Sequence, residues 1–269
     1  MSPAATPTLL VFTLGAAGES ARRGLLPESL KGLEIGLRQA CLAAVLEAGE
    51  SCGCRLEVCS PRRLAVPAGV RHVPQRGADF GSRFEGALAG AFARAGEGGS
   101  LMVVGTDVPG LGSRHLKAAL ALLAEDGDRV VLGPSPDGGL YLLAAARPLP
   151  GLGSAVRWCR GETMDSLRRA LAAAGRPVVL LESLSDLDRP ADLDAWLAHP
   201  AAAADSDSAD HALRASSANV GERWRIIAGL LHRALAVHRR PPPPPRERRT
   251  RLDLPPTVTG RAPPFSVSH

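Results

Sequence analysis

Four aspartates and one arginine-rich loop carry most of the chemistry this sequence can offer. Asp107 stands directly behind the apolar run Leu101–Gly105 (LMVVG), and Pro109 and Gly110 turn the chain just beyond it. A carboxylate leaving a buried strand at its carboxyl end can hold Mg²⁺ or Mn²⁺ on a phosphate. The alternative is a helix cap, since a helix is predicted to open near Ser113. Asp137 opens Asp137-Gly138-Gly139. The two glycines let backbone approach a ligand closely, and the acid can bind a sugar or base hydroxyl or act as a general base. Asp-Gly is equally a hairpin signal, and both readings can hold together. Asp186 and Asp188 alternate in an extended segment, so both can face one side. Converging with Asp107 they would cage a divalent cation on a diphosphate; capping the helix that begins at Pro190 is the competing reading. In GAAGESARRG, residues 15–24, backbone amides around Gly18 and Ser20 can cradle phosphate, with Arg22 and Arg23 adding charge. The loop is neither a P-loop nor a GxGxxG fingerprint. Arg76, in Gln75-Arg76-Gly77, either lines the same cleft or belongs to a plain loop.

The elements that must position these residues alternate. Strands are predicted at Thr8–Phe12, Leu56–Cys59, Leu101–Gly105, Arg129–Leu132, Leu140–Ala145 and Val178–Leu181. Helices fall between them: one carrying Leu33, Leu37, Cys41, Ala44 and Val45 and closed by Gly49, then Phe80–Ala95, His115–Glu125, Glu162–Ala174 and Pro190–Leu197. This pattern predicts an α/β fold, a three-layer α/β/α arrangement around a mostly parallel sheet. Ligands of such sheets sit beyond the carboxyl ends of the strands. The loops at 15–24, 106–110 and 133–139 all follow strands at that end.

Composition limits the alternatives. The 269 residues include only 3% aromatics, so the core is aliphatic. No apolar run reaches about 18 residues, and the N-terminus lacks a basic leader region, which points to a cytoplasmic protein with no membrane partner. The formal charge of +5 resides in residues 200–269, which hold 11 Arg against 6 acids, whereas residues 1–199 balance 21 against 21. A basic tail without interleaved aromatics argues against a nucleic-acid partner. Five cysteines at uneven spacing make no disulfide framework, and Cys52, Cys54 and Cys59 lack a nearby fourth ligand for zinc. No GxSxG or HExxH motif and no Cys–His pair is present, which sets aside the common hydrolase chemistries. Residues 1–199 are read as one catalytic domain. Residues 200–269 are read as a low-complexity linker, one amphipathic helix (about 219–239), a polyproline run at 241–245 and a disordered basic end. The helix is expected to dock on the body, or else on a protein partner.

Taken in order, the GAAGESARRG loop, QRGADFGSRF, VVGTDVPGL, VVLGPSPDGGLYLL and LSDLDRPADL resemble a GT-A-fold family of bacterial transferases. It is a domain-of-unknown-function family often assigned to arsenosugar-biosynthesis glycosyltransferases, and a cousin of the molybdenum-cofactor nucleotidyltransferases. The resemblance covers roughly residues 8–198, and GTDVPGL with GPSPDGG carries it most specifically. It implies a GT-A, nucleotide-diphospho-sugar transferase type of fold. It also implies that Asp107 and Asp188 hold the metal, that Asp137, Gly138 and Gly139 meet the sugar, and that Trp158 packs near the site. Where the family carries phosphate-binding lysines, this chain has Leu14 and Ala21, keeping Arg22, Arg23 and, farther on, Lys31.

The first expectation is therefore a Mg²⁺- or Mn²⁺-dependent glycosyltransferase acting on a nucleotide sugar and a small-molecule acceptor. In it Asp107 and Asp188 hold the metal, Asp137 serves the acceptor and Arg22 assists. The alternatives are a nucleotidyltransferase joining an NTP to a phosphorylated acceptor, and a degenerate, non-catalytic nucleotide-binding module whose tail recruits a partner.

Overall fold

The computed structural model describes residues 5–198 and 211–238. Seven strands form one sheet: β1 (Thr8–Phe12), β2 (Arg55–Ser60), β3 (Arg71–Pro74), β4 (Leu101–Val104), β5 (Val130–Pro134), β6 (Leu140–Ala145) and β7 (Val178–Leu180). Their order is β3-β2-β1-β4-β6-β5-β7. Strands β1 and β4 lie at the centre, where helices cover both faces, and so read as unbroken apolar runs rather than alternating ones. All pairs are parallel except those of β6, which runs antiparallel to β4 and β5. The reason is the short 135–139 connection: it can make a hairpin, whereas a parallel crossover needs a dozen residues or more. The predicted α/β sheet is therefore present, with one reversed strand. β3 adds an edge strand where the sequence shows only a strand-like piece before Gln75.

Helices α1 (Ala16–Arg22), α2 (Lys31–Ser51), α3 (Phe80–Ala95), α4 (Ser113–Glu125), α5 (Leu152–Ala155), α6 (Thr163–Ala173), α7 (Pro190–Ala198) and α8 (His211–His238) complete the described chain. On one face, Leu10, Val103, Leu132 and Leu143 pack under α3 and α6. On the other, Leu9, Val11, Met102, Val104 and Val131 pack under α2 and α4. The α3 stripe Phe84, Ala87, Leu88, Ala91 and Phe92 follows helical spacing. A reciprocal Asp79–Ser82 cap starts that helix.

Two expectations change. Residues 15–24 are not an open loop: most of them form α1. Gly49 does not end its helix either. A Cβ there would collide with the Leu9 and Leu56 side chains, so glycine is needed for close helix–strand packing, and α2 runs on to Ser51. Gly53, with φ +67, takes the left-handed turn instead.

A third cluster joins α2, α7 and α8: Leu37, Cys41, Leu187, Leu193, Leu197, Trp224, Ala228 and Leu231. The C-terminal helix is longer than its predicted span and docks on the body, with Trp224 fully buried and edge-on to Trp196 at 5.5 Å between ring centroids. The linker, the polyproline run and the basic end lie outside the described residues. No described helix is long and apolar enough to cross a membrane.

Truncating a buried tryptophan removes its burial and leaves a cavity. Trp224→Ala is expected to cost about 3–5 kcal/mol in urea unfolding of the full chain. An unchanged midpoint would show that α8 is not held against α2 and α7.

Candidate active site

A cavity of about 640 Å³ opens at the carboxyl ends of β1 and β4. Its floor is Phe12, Thr13 and the Gly105-Thr106-Asp107 turn, with β6 behind. The two strand ends are tied by a 3.0 Å hydrogen bond between the Thr13 and Thr106 hydroxyls. One wall comes from α3 and the segment before α6: Phe80, Arg83, Phe84, Trp158 and Arg160. The other comes from α1 and the segment between β7 and α7: Glu19, Arg22, Arg23, Asp186, Asp188 and Arg189.

The β7–α7 strap is anchored at successive points. The Leu181 and Leu184 amides donate to the Leu132 and Pro134 carbonyls at 2.9 and 3.1 Å, and the Leu187 amide donates to Asp107 O at 2.7 Å. Leu187 is buried inward. Its neighbours Asp186 and Asp188 therefore project together, as alternation in an extended segment requires. The reading of Asp188 as a mere helix cap is not taken up: the Asp188 and Arg189 amides donate to Asp192 Oδ2 at 3.1 and 2.8 Å, so Asp192 does the capping.

Asp137, Asp186 and Asp188 can each present one carboxylate oxygen with all three atoms within 4.8 Å of one another. Burial pushes the Asp186 carboxyl up to about 6, and the charges of Asp137 and Asp107 add to the rise. Asp107 is also raised, first by burial and then by Glu19. Three hard oxygen donors at this spacing suit Mg²⁺ or Mn²⁺, whose charge would relieve the crowding among the acids. Asp137 fills its turn role at the same time, accepting from the Gly139 amide at 2.8 Å. The tight triplet thus contains Asp188 and Asp137 with Asp186, which the sequence reading paired with Asp188 but did not weight. Asp107 fronts the same cavity outside that triplet.

The loop expected to cradle phosphate is arranged otherwise. Glu19 turns back and accepts from the Leu14 amide at 2.9 Å, while the Gly15 amide donates to Thr13 Oγ1 at 3.0 Å. A side chain already takes an amide offered to phosphate. Arg22 and Arg23 line the cavity, and Arg23 is ion-paired with Asp188. Gly18 and Ser20 do not line it; Ser20 is the buried residue of α1. Lys31 donates to Ser20 O at 2.7 Å and so is spent on α1. Arg76 is exposed and outside the cavity, whereas Gln75 lines it, donating to the Thr13 and Cys59 carbonyls at 3.0 Å each. Gly139 lines the cavity. Gly138, at φ +87, faces Gly161, where any Cβ would strike the carbonyl. Trp158 packs on Phe84 at 4.7 Å and Phe80 at 5.3 Å between ring centroids, at the cavity wall. The cysteines are free, and burial pushes the Cys54 thiol up to about 12 and the Cys59 thiol to about 11.

A mostly parallel seven-stranded sheet, with helices on both faces and an acid-lined cavity at its carboxyl edge, defines an α/β fold of the nucleotide-diphospho-sugar transferase type. Residues 43–160 match the family described as "Uncharacterized protein conserved in bacteria (DUF2064)", in agreement with the motif resemblance. A "putative nucleotide-diphospho-sugar transferase" from Desulfovibrio desulfuricans G20 superposes with a TM-score of 0.65 at 18% identity, covering 81% of this chain and 98% of that one. A CMP:2-keto-3-deoxy-manno-octonic acid synthetase complexed with CTP gives a TM-score of 0.41 at 13% identity, over 71% of this chain and 96% of its own. A 4-diphosphocytidyl-2C-methyl-D-erythritol synthase gives 0.44 at 12%, over 68% and 91%. No curated protein sequence matches the chain.

The raised Asp186 fixes the sign of one pH dependence. Between about pH 4, where an unfolded aspartate titrates, and about 6, the folded protein binds the Asp186 proton and the unfolded chain does not. That contribution to stability is complete below the window and is lost as pH rises through it. In EDTA, Asp186→Asn should gain stability relative to the unsubstituted protein as pH rises from 4 to 6.5, measured by urea unfolding. A constant difference across that range would show that Asp186 is not raised.

Proposed function

We propose that this protein is a divalent-metal-dependent transferase of the nucleotide-diphospho-sugar type, moving a glycosyl group to a small-molecule acceptor. The observation that carries the reading is the convergence of Asp137, Asp186 and Asp188 beside Arg22, Arg23 and Arg189 in one cavity. Acids that hold Mg²⁺ or Mn²⁺ next to guanidiniums are what a nucleoside diphosphate needs, since two ionised phosphates require both a cation and directed donors.

Asp186, Asp188 and Asp137 would hold the metal, with Asp107 fronting the same cavity. A divalent cation held there would supply stabilisation for the charge on the leaving diphosphate. Arg23, paired with Asp188, and Arg22 line the same cavity and would direct guanidinium donors at the phosphate oxygens. Anchoring of the strap to β4 and β5 holds the acids at fixed spacing, so little reorganisation accompanies charge development. Glu19, occupying the Leu14 amide and facing the cavity, disfavours a triphosphate lying over α1. This supports diphosphate chemistry over nucleotidyl transfer.

The test uses the full chain with Mn²⁺ and a panel of nucleotide sugars. A donor at about 100 times its dissociation constant stabilises by roughly 2.7 kcal/mol, visible in a thermal scan. The expected result is a Mn²⁺-dependent shift with one donor, release of nucleoside diphosphate, and a loss of turnover of about 100-fold or more in Asp186→Asn and in Asp107→Asn, with both variants folded. Release of pyrophosphate from an NTP would replace this reading with nucleotidyl transfer. Absence of any nucleotide-dependent shift would leave a non-catalytic module.

A further inference from the structure

The cavity has a second cationic end that the donor chemistry does not use. Arg83 on α3 and Arg160 before α6 both line it, on elements other than the strap that carries Asp186 and Asp188. Neither guanidinium forms an ion pair among the described residues, in contrast to Arg22, which faces Glu19, and Arg23, which faces Asp188. Arg83 acts on Asp79, and Arg160 on Glu162, only from beyond contact distance. Those two acids are occupied elsewhere: Asp79 accepts from the Ser82 amide and Glu162 pairs with Arg157 at 2.6 Å. The Nε of Arg83 is buried and has no hydrogen-bond partner. A desolvated donor without an acceptor is destabilising, and an incoming acceptor oxygen would remove that cost. Trp158 lines the same cavity, seated on Phe80 and Phe84 and held by a 3.1 Å bond from its Nε1 to Leu152 O. Its ring is a rigid platform for a flat or apolar ligand body.

Building on the transferase reading, we infer that the acceptor is an anionic molecule, a phosphate or carboxylate compound, whose charged group is taken by Arg83 and Arg160 while its body lies on Trp158. Two guanidiniums with no directly paired carboxylate recognise such a group by charge-assisted hydrogen bonds. The strap and α1 side is taken by the donor diphosphate, so the acceptor is oriented with its anionic end on Arg83 and Arg160 and its nucleophile towards the donor. The two negatively charged substrates are thereby kept apart.

Phenyl phosphate serves as the probe, titrated into the full chain in EDTA so that the acids carry no metal, with intrinsic tryptophan fluorescence as the readout. Trp158→Phe identifies the part of the signal that comes from this wall. The expected result is saturable quenching, weakened about tenfold or more in Arg83→Met and abolished in the Arg83→Met/Arg160→Met pair. Arg83→Lys, which keeps the charge, should recover part of the affinity and guards against a folding defect. Arg22→Met/Arg23→Met should bind as the unsubstituted protein does. Binding that survives the Arg83/Arg160 pair, binding lost in the Arg22/Arg23 pair, or no binding at all would overturn the inference. Phenol, lacking the charge, should bind at least tenfold more weakly; equal binding would also overturn it. Donor binding is followed separately by the Mn²⁺-dependent thermal shift with nucleotide sugars. If that shift is absent while phenyl phosphate still binds through Arg83, the transferase reading fails and the anion site stands.

Discussion

The burial of β1 and β4 on both faces governs the remainder of this molecule. A strand with helices above and below has an almost wholly apolar length, so its chemistry is displaced to its carboxyl end. Thr13, Thr106 and Asp107 are the first polar residues available, and they form the cavity floor. The hydroxyl bond between Thr13 and Thr106 locks the two central strand ends into one surface. Everything else in the site reaches that floor from the sides: α1 from one, the strap before α7 from the same flank, and α3 with the Trp158 segment from the other.

Much of the scaffold was legible in the sequence because the same burial writes itself as apolar runs. TLLVF, LMVV and LYLLAA are strands, and Phe80–Ala95 is a helix with the predicted bounds. Less local features were harder to read. GAAGESARR, with two glycines and two arginines, carries no helical stripe, and α1 exists because Glu19 and Thr13 satisfy its entry amides. Gly49 has the character of a stop signal, and only the close approach of Leu9 and Leu56 explains its place within α2. The reversal of β6 follows from the length of one connection, a signal present in the chain but outweighed by the βα alternation around it.

The site divides in the same way. Asp107 and the Asp186/Asp188 pair were visible because motif and strand end coincide. Asp137 was visible through its glycines. That Asp137 belongs with Asp186 and Asp188 depends on how the strap crosses the sheet edge, which backbone hydrogen bonds to Leu132, Pro134 and Asp107 determine. Arg83 lies inside the QRGADFGSRF motif and Arg160 outside any motif, and neither was read as a site residue. One is an ordinary arginine on a helix and the other sits in a turn, and only the absence of an ionic partner, seen in three dimensions, sets them apart.

Leu187 lies between two of the acids and belongs to the apolar cluster that Trp224 closes from α8. The spacing of Asp186 and Asp188 is therefore not independent of a helix contributed by the far end of the chain. In thermodynamic terms the two are linked functions. Whatever free energy the docked helix lends to the carboxylate geometry, a ligand holding those carboxylates returns to the helix in equal measure. A segment that resembles an appendage thus shares one cooperative unit with the chemistry.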